Sequence, residues 1–333
     1  MLPAYGLYTH IRRNELRARA LVIGLFALNI VLAYAAALVI RSAGTGLPFG
    51  AAPSLEAYLR AALHDLLWLG PLVIAGTLLW LFVAFRTHQA MIAGVVGARA
   101  VSVFEAPDLH RQLEALCISR GIAVPALQIA DDPALNAYAT GLNPQQYAIT
   151  VTSGLMAALE PREMQAVLAH ELTHIRNDDV RTMMIAVAIA GILAFAADHA
   201  FRSALMRDLP DDRGGRGRAG ALPAQLIGVA LVVVAWLLSQ AIRFALSRTR
   251  EYVADAGAVE LTKDPDALIS ALLKISGRGD LARAPSGLME LCVDNPRTGF
   301  LDLLATHPPI EDRIDAIVRY GGGRLPYPAP WPA

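Results

Sequence analysis

Charge is scarce in this chain. Asp, Glu, Lys and Arg together make up 17% of its 333 residues, against about 25% in an ordinary soluble domain. The 29 basic and 29 acidic side chains also cancel. With no basic surplus and no basic–aromatic surface, nucleic acid is not an expected partner. Cysteine is scarcer still. Cys117 and Cys292 stand far apart with no C-x-x-C, which excludes a disulfide framework and a cysteine-rich metal site and fits reduced thiols in a cytosolic domain. There is no internal repeat and no glycine-rich phosphate loop, so nucleotide-dependent phosphoryl transfer drops out.

What the chain has instead is apolar length. Hydrophobic residues make up 55%, and 21–40 and 66–85 are each 20 residues without a charge, enough to cross a hydrocarbon core of about 30 Å as helices. The first is longer than a signal-peptide core of about 7–15 residues and reads as a retained anchor. Two further stretches follow, 182–197 with 16 uncharged residues and 219–242 with 24. Each reads as a span or as a buried core helix. Arg12, Arg13, Arg17 and Arg19 precede the first span, whereas 41–65 holds only Arg41 and Arg60, so the N-terminus and everything from residue 86 onward are expected in the cytoplasm. Arg202, Arg207, Arg213, Arg216 and Arg218 crowd the loop between the last two stretches. A full hairpin would place that loop outside, against the same rule, so the pair reads either as a hairpin or as a shallow, re-entrant excursion.

The chemistry concentrates in His170-Glu171-Leu172-Thr173-His174, an H-E-x-x-H pattern. Pro161 suits a first helical position, and Met164, Val167, Leu168, Leu172 and Ile175 form an apolar stripe at helical spacing. On a helix, His170 and His174 share a face and can reach one ion, with Glu171 beside them. Neutral imidazoles are good zinc ligands, and a carboxylate next to the ion can take a proton from a water whose pKa the metal has lowered to about 7.

Upstream, 107–120 reads as an amphipathic helix burying Leu109, Leu113, Leu116 and Cys117 and ended by Gly121. Short β runs follow at 126–130 and 148–152, with a turn at Gly141-Leu142-Asn143-Pro144 between them. The expected sheet is small and antiparallel, with an edge near Asn136, Ala137, Tyr138 and Ala139; a purely structural hairpin is the alternative. Downstream, Asp264-Pro265 opens a helix closed by Gly277, and 310–320 forms another after Thr306-His307-Pro308-Pro309.

A peptidase zinc site needs a third protein ligand. Glu251 is the best candidate, with Asp255 four residues on able to accept the second ring N–H of a ligand His. Taken alone, Glu251 reads first as a surface helix residue paired with Arg248 or Arg250. His174 lies eight residues before Thr182 and Glu251 nine after Ile242, so both fall within roughly 12–14 Å of the apolar segments. A hairpin of those segments would bring them to one place.

These blocks, with Gly97-Ala98-Arg99, Leu116 to Gly121, Asp132 to Gly141, Ser247 to Asp255 and Thr306 to Pro309 in the same order, resemble the HtpX-type membrane metalloproteases, relatives of the CAAX prenyl endopeptidases. The resemblance covers nearly the whole chain apart from the tail; Ala100 stands where a Pro is expected, away from the chemistry. It implies one zinc ion on His170, His174 and Glu251, Glu171 as base, and quality control of misfolded membrane proteins. It also implies that Asn136, Ala137, Tyr138 and Ala139 form a substrate-aligning edge strand. By the same resemblance His307 donates to the oxyanion with Arg313 steadying it; a His capping the following helix is the alternative.

The expectation is a mainly α membrane protein with four transmembrane helices, the last two a full or shallow hairpin, and a cytosolic α+β zincin-like metalloprotease domain. Its parts are 1–85 (leader and two spans), 86–181 (first catalytic part), 182–242 (third and fourth segments with the basic loop), 243–320 (second catalytic part) and 321–333, a Gly/Pro-rich tail expected to be disordered. Expected partners are the lipid bilayer, unfolded membrane proteins and, by self-cleavage, neighbouring copies. A non-enzymatic adaptor with a structural zinc and a prenyl-peptide processing protease are the alternatives.

Overall fold

The computed structural model describes residues 7–42, 54–185, 220–284, 286–289, 291–295 and 307–325. The chain divides into two compact units. One comprises Met1–Ala18, Phe85–Val187 and Arg243–Ala333, the other Arg19–Ala84 and Ala188–Ile242.

The second unit holds most of helices α1 (Leu7–Ser42) and α2 (Leu55–Val96), together with the first part of α6 (Ala221–Thr262). Small residues let these helices approach: Ala37, Leu38, Ala62, Ala221 and Ala224 pack together with Tyr58, as expected where close packing replaces a hydrophobic driving force. Asn29 donates to Thr77 at 3.4 Å inside this unit. Arg41 grips Asp65 through two bonds of 2.7 and 2.6 Å. The surface is apolar, with Trp68, Leu72, Leu79 and Phe82 exposed. Two helical stretches among the described residues are long and apolar enough to cross a bilayer, Leu55–Val83 and Ala221–Leu238, while the apolar part of α1, Phe26–Ser42, is shorter. Two of the four expected spans are therefore found among the described residues. The first stretch includes polar Asn29 and ends at Arg41, and most of the third, with the basic loop, lies in 186–219, outside the described residues.

The first unit holds a four-stranded sheet of β1 (Ala98–Ala100), β2 (Ala126–Ala130), β3 (Ala137–Thr140) and β4 (Ala148–Thr152) in the order β1-β2-β4-β3. β2 and β4 fall at the expected 126–130 and 148–152 and β3 near the expected edge, β1 is an additional strand, and the expected antiparallel sheet is instead mixed. β1/β2 and β3/β4 are antiparallel, and β2/β4 runs parallel with Ala126 opposite Ala148 and Ala130 opposite Thr152. The cause is in β4. All five of its residues are buried, so it is a two-faced central strand, and the β3–β4 hairpin folds back to insert β4 beside β2 and leave β3 at the edge. Gly141 makes that reversal with φ +127°; a Cβ there would meet the Gln146 carbonyl oxygen at 2.7 Å.

Helix α3 (Pro107–Ile118) packs Leu109, Leu113, Leu116 and Cys117 inward. It shares a core with α5 (Pro161–Arg176), α7 (Pro265–Ile275) and α9 (Ile310–Gly321), built around Leu113, Ile149, Leu168, Leu172, Leu268 and Ile314. The short α4 (Ser153–Ala158) and α8 (Ser286–Met289) complete the set of named helices. Asp264 caps α7 by accepting from the Ala267 N–H, and Gly322 closes α9 in the left-handed conformation. Of the tail expected to be disordered, residues 322–325 are described and Arg324 N–H bonds Asp266; 326–333 lie outside the described residues.

Candidate metal centre

Helix α5 starts from a capping box in which Glu160 and Glu163 satisfy each other's backbone N–H groups. Glu163 is buried and also accepts from Ser270 at 2.6 Å and Lys274 at 2.7 Å, fastening the start of α5 to α7. Nearly every residue from 163 to 175 is buried, so the helix is enclosed by the core and does not lie on it. His170, Glu171 and His174 therefore face a buried pocket. Opposite stands α6, which brings Glu251 and Asp255. The two helices approach closely because α6 has Gly257 against Thr173. A Cβ at Gly257 would lie 2.4 Å from Thr173 Cγ2.

The distances suit a shared metal ion. His170 Nε2 lies 3.2 Å from His174 Nε2 and 3.5 Å from Glu251 Oε2, and His174 Nε2 lies 3.6 Å from Glu251 Oε1. Bonds of about 2.1 Å at tetrahedral angles require ligand atoms roughly 3.4 Å apart. The outer ring nitrogens are both held by carboxylates. His170 Nδ1 is 3.0 Å from Asp255 and His174 Nδ1 is 3.2 Å from Asp179, which puts the proton on Nδ1 and leaves both Nε2 lone pairs for a metal. Burial alone would lower the His170 pKa, yet Asp255 and Glu251 raise it to about 9, so the pocket draws positive charge. Burial raises the Glu251 carboxyl pKa, but His307 and His170 outweigh it and hold the group ionised well below its ordinary value.

Glu171 differs from the ligands. It is buried, both of its oxygens are without a hydrogen-bond partner among the described residues, and it lines the same pocket as Ala139, His174 and Glu251. Burial raises its pKa, against the opposing pull of His170 and His174. That combination suits a group that must both take and return a proton.

Other expected residues divide. His307 reaches the site, with Nδ1 3.5 Å from Glu251 Oε2 and neither ring nitrogen hydrogen-bonded among the described residues. It does not cap α9, whose N-cap is Pro309 with no side-chain bond. Arg313 is buried but does not steady His307. It gives Nε and Nη2 to Asp255 at 2.9 and 2.7 Å and Nη1 to the Val293 carbonyl at 2.9 Å. Ala139 lines the pocket. Asn136, by contrast, is fully buried, its amide donating to the carbonyls of Gly279 and Asp294 and accepting from the Ala137 and Asp294 N–H groups. It positions the edge strand and has no side-chain group left for a ligand. Asp179 was missed by the sequence reading. Its only signal is position, five residues past His174 and just after the left-handed Asp178 (φ 61°) that turns the chain back.

The model of peptidase family M48 matches residues 104–320. A protease HtpX homolog of Bacteroides fragilis is 35% identical over 325 residues, covering 95% of this chain and 99% of that protein. One from Lactobacillus helveticus is 33% identical over 316 residues, covering 92% and 98%. Among solved structures, the crystal structure of Ste24p from S. mikatae aligns with a TM-score of 0.41 and 17% identity over 76% of this chain and 65% of that one.

Proposed function

This chain belongs to peptidase family M48, and from that premise we propose a membrane-resident zinc endopeptidase that hydrolyses peptide bonds in misfolded or damaged membrane proteins at the cytoplasmic face, in a stress response. One observation carries the reading: His170, His174 and Glu251 each offer a ligand atom within 4.8 Å of the others, beside a buried Glu171 whose oxygens have no partner among the described residues. One zinc ion per chain, held by those three residues, would supply Lewis-acid polarisation of the scissile carbonyl and a water acidic enough to lose a proton near neutral pH.

The chain's own groups do the rest. An extended peptide adds along the outer edge of β3 at Ala139, a mode that reads backbone and so favours unfolded segments. Glu171 takes a proton from the attacking water as the new C–O bond forms, and passes it to the amine nitrogen as the C–N bond breaks. Its burial favours holding the proton between those events. Asp255 and Asp179 fix the imidazoles, and His307 donates an N–H to the developing oxyanion. The arginine-rich leader supports the cytoplasmic orientation at the cytoplasmic membrane.

The test is Glu171→Gln, nearly isosteric and unable to accept the proton. In detergent or vesicles it should keep zinc while losing cleavage of an unfolded model membrane protein by about 10²–10⁴-fold. Because neighbouring copies are substrates too, the wild type should be purified under chelation and zinc then restored. Wild-type rates in Glu171→Gln overturn the mechanism. Zinc without cleavage of any unfolded protein points to a structural metal in a non-enzymatic adaptor, and preference for prenylated peptides moves the substrate class.

A further inference from the structure

Arg250 is a buried cation that the mechanism above does not use. It precedes the ligand Glu251 on α6 and is only 8% exposed. Its one side-chain hydrogen bond among the described residues is a long contact of 3.5 Å from Nη1 to the Asp179 carbonyl. Its Nε is buried with no partner among the described residues. Burying a guanidinium N–H without an acceptor is costly, and the fixed fork of the group means that Nη1 cannot turn to serve for Nε. The side chain lines the pocket that also holds Ala139, Glu171 and Glu251, with Val180 and Leu291 as apolar walls. The missing acceptor is therefore one that enters that pocket.

The edge of β3 says which acceptor. The chain covers the start of this edge itself: Val293 N–H donates to the Ala137 carbonyl at 3.0 Å, and Tyr138 forms an antiparallel bridge with Cys292. The bridging segment is anchored by Arg313 on the Val293 carbonyl and by Asn136 on Asp294. An incoming strand is thus confined to Ala139 and beyond, with Leu291 at its end. In a strand paired there, alternate residues point their N–H and C=O groups at β3, and the intervening ones point theirs away, into the rest of the pocket.

We propose that Arg250 is a substrate-binding residue whose Nε–H finds no acceptor among the described residues because it donates to a backbone carbonyl of the bound peptide, next to the residue paired with Ala139. This rests on the endopeptidase reading and deepens it. The pocket takes a peptide in one register through its main chain, independent of side-chain sequence.

The experiment uses the full chain carrying Glu171→Gln, zinc-loaded in detergent, so that an unfolded peptide binds without turnover. Adding Arg250→Gln should raise the peptide Kd about 10- to 100-fold, the range for a hydrogen bond to a charged group, with zinc content unchanged. Arg250→Lys, which keeps charge but lacks the guanidinium fork, should restore only part of it. A peptide series in which each backbone carbonyl in turn is replaced by a methylene needs no change at Arg250. Among the positions that lose affinity, one should become silent in Arg250→Gln. A Kd within twofold of the parent in Arg250→Gln, or a series in which no sensitive position falls silent in that variant, overturns the proposal. A loss confined to peptides bearing Asp or Glu overturns it as well, since the arginine would then be reading a side-chain carboxylate. None of these outcomes touches the endopeptidase reading, which fails only if the wild-type protein cuts nothing.

Discussion

Replacing Arg313 with methionine removes a charge from the centre of the site with little change in packing volume. The side chain is 1% exposed and binds Asp255 through two bonds of 2.9 and 2.7 Å. After the change, the Asp255 carboxylate, itself 2% exposed, is left with the His170 ring alone. Burial pushes the Asp255 pKa up and Arg313 is the main influence holding it down, so its removal leaves a carboxylate that is either charged and stranded or protonated. Removing one member of a buried pair costs about 3–5 kcal/mol. A domain of 150–250 residues loses about 2–4 °C per kcal/mol, so thermal unfolding in detergent should fall by roughly 6–20 °C. Zinc content should fall in parallel, because Asp255 orients His170. In the double variant Arg313→Met/Asp255→Asn no charge is stranded and an acceptor for His170 remains, so much of the lost stability should return. An unfolding temperature within 2 °C of wild type for Arg313→Met, taking about 1 kcal/mol as the threshold, would refute the account. So would a double variant no more stable than the single one, since the stranded carboxylate would not be the source of the loss.

Asp179→Ala removes the carboxylate behind His174 and should weaken zinc affinity about 10- to 100-fold by competition with a chelator, with the fold intact by circular dichroism; unchanged affinity would show that His174 needs no partner. Gly257→Ala drives a methyl into Thr173 and should destabilise by about 1–3 kcal/mol despite better helix propensity. Thr173→Ala in the same chain should relieve it, and a stable single variant would mean that the helices can part without cost. Glu163→Ala, read by thermal unfolding, loses the capping box and the bonds to Ser270 and Lys274, about 2–3 kcal/mol in all. Burial raises the Glu163 pKa, but Lys274, Ser270 and the Glu160 N–H outweigh it, so the net shift is downward. Its contribution is therefore full above the unfolded value near 4.3 and fades as pH falls through the lower folded pKa. Equal acid sensitivity in wild type and Glu163→Ala would contradict that sign.

Local chemistry was legible in the sequence where one residue type or one spacing decides it. The i,i+4 histidines, the turn at Gly141 and the apolar stripe of α3 follow from periodicity and from φ restrictions, and Asp255 follows from helical spacing to Glu251. The β2/β4 pairing was not legible, because alternation tells a half-buried strand from a helix but does not tell which neighbour a strand inserts beside; that depended on β4 being buried on both faces. The anchoring of Asn136 was not legible for a related reason. Its amide donates to the carbonyls of Gly279 and Asp294, 143 and 158 residues away. Arg313 pairs with Asp255 over 58 residues and not with His307, a choice made by packing that no local pattern records. The missed Asp179 sits past a left-handed residue, where helical spacing no longer applies.

An edge strand that welcomes any unfolded backbone is also a template for aggregation, since whatever pairs with it presents a fresh edge in turn. Here the strand is four residues long, its first half is covered by residues of the same chain, and a wall at Leu291 adjoins what remains. In the proposed role, the protein that handles aggregation-prone material exposes too little sheet to seed it.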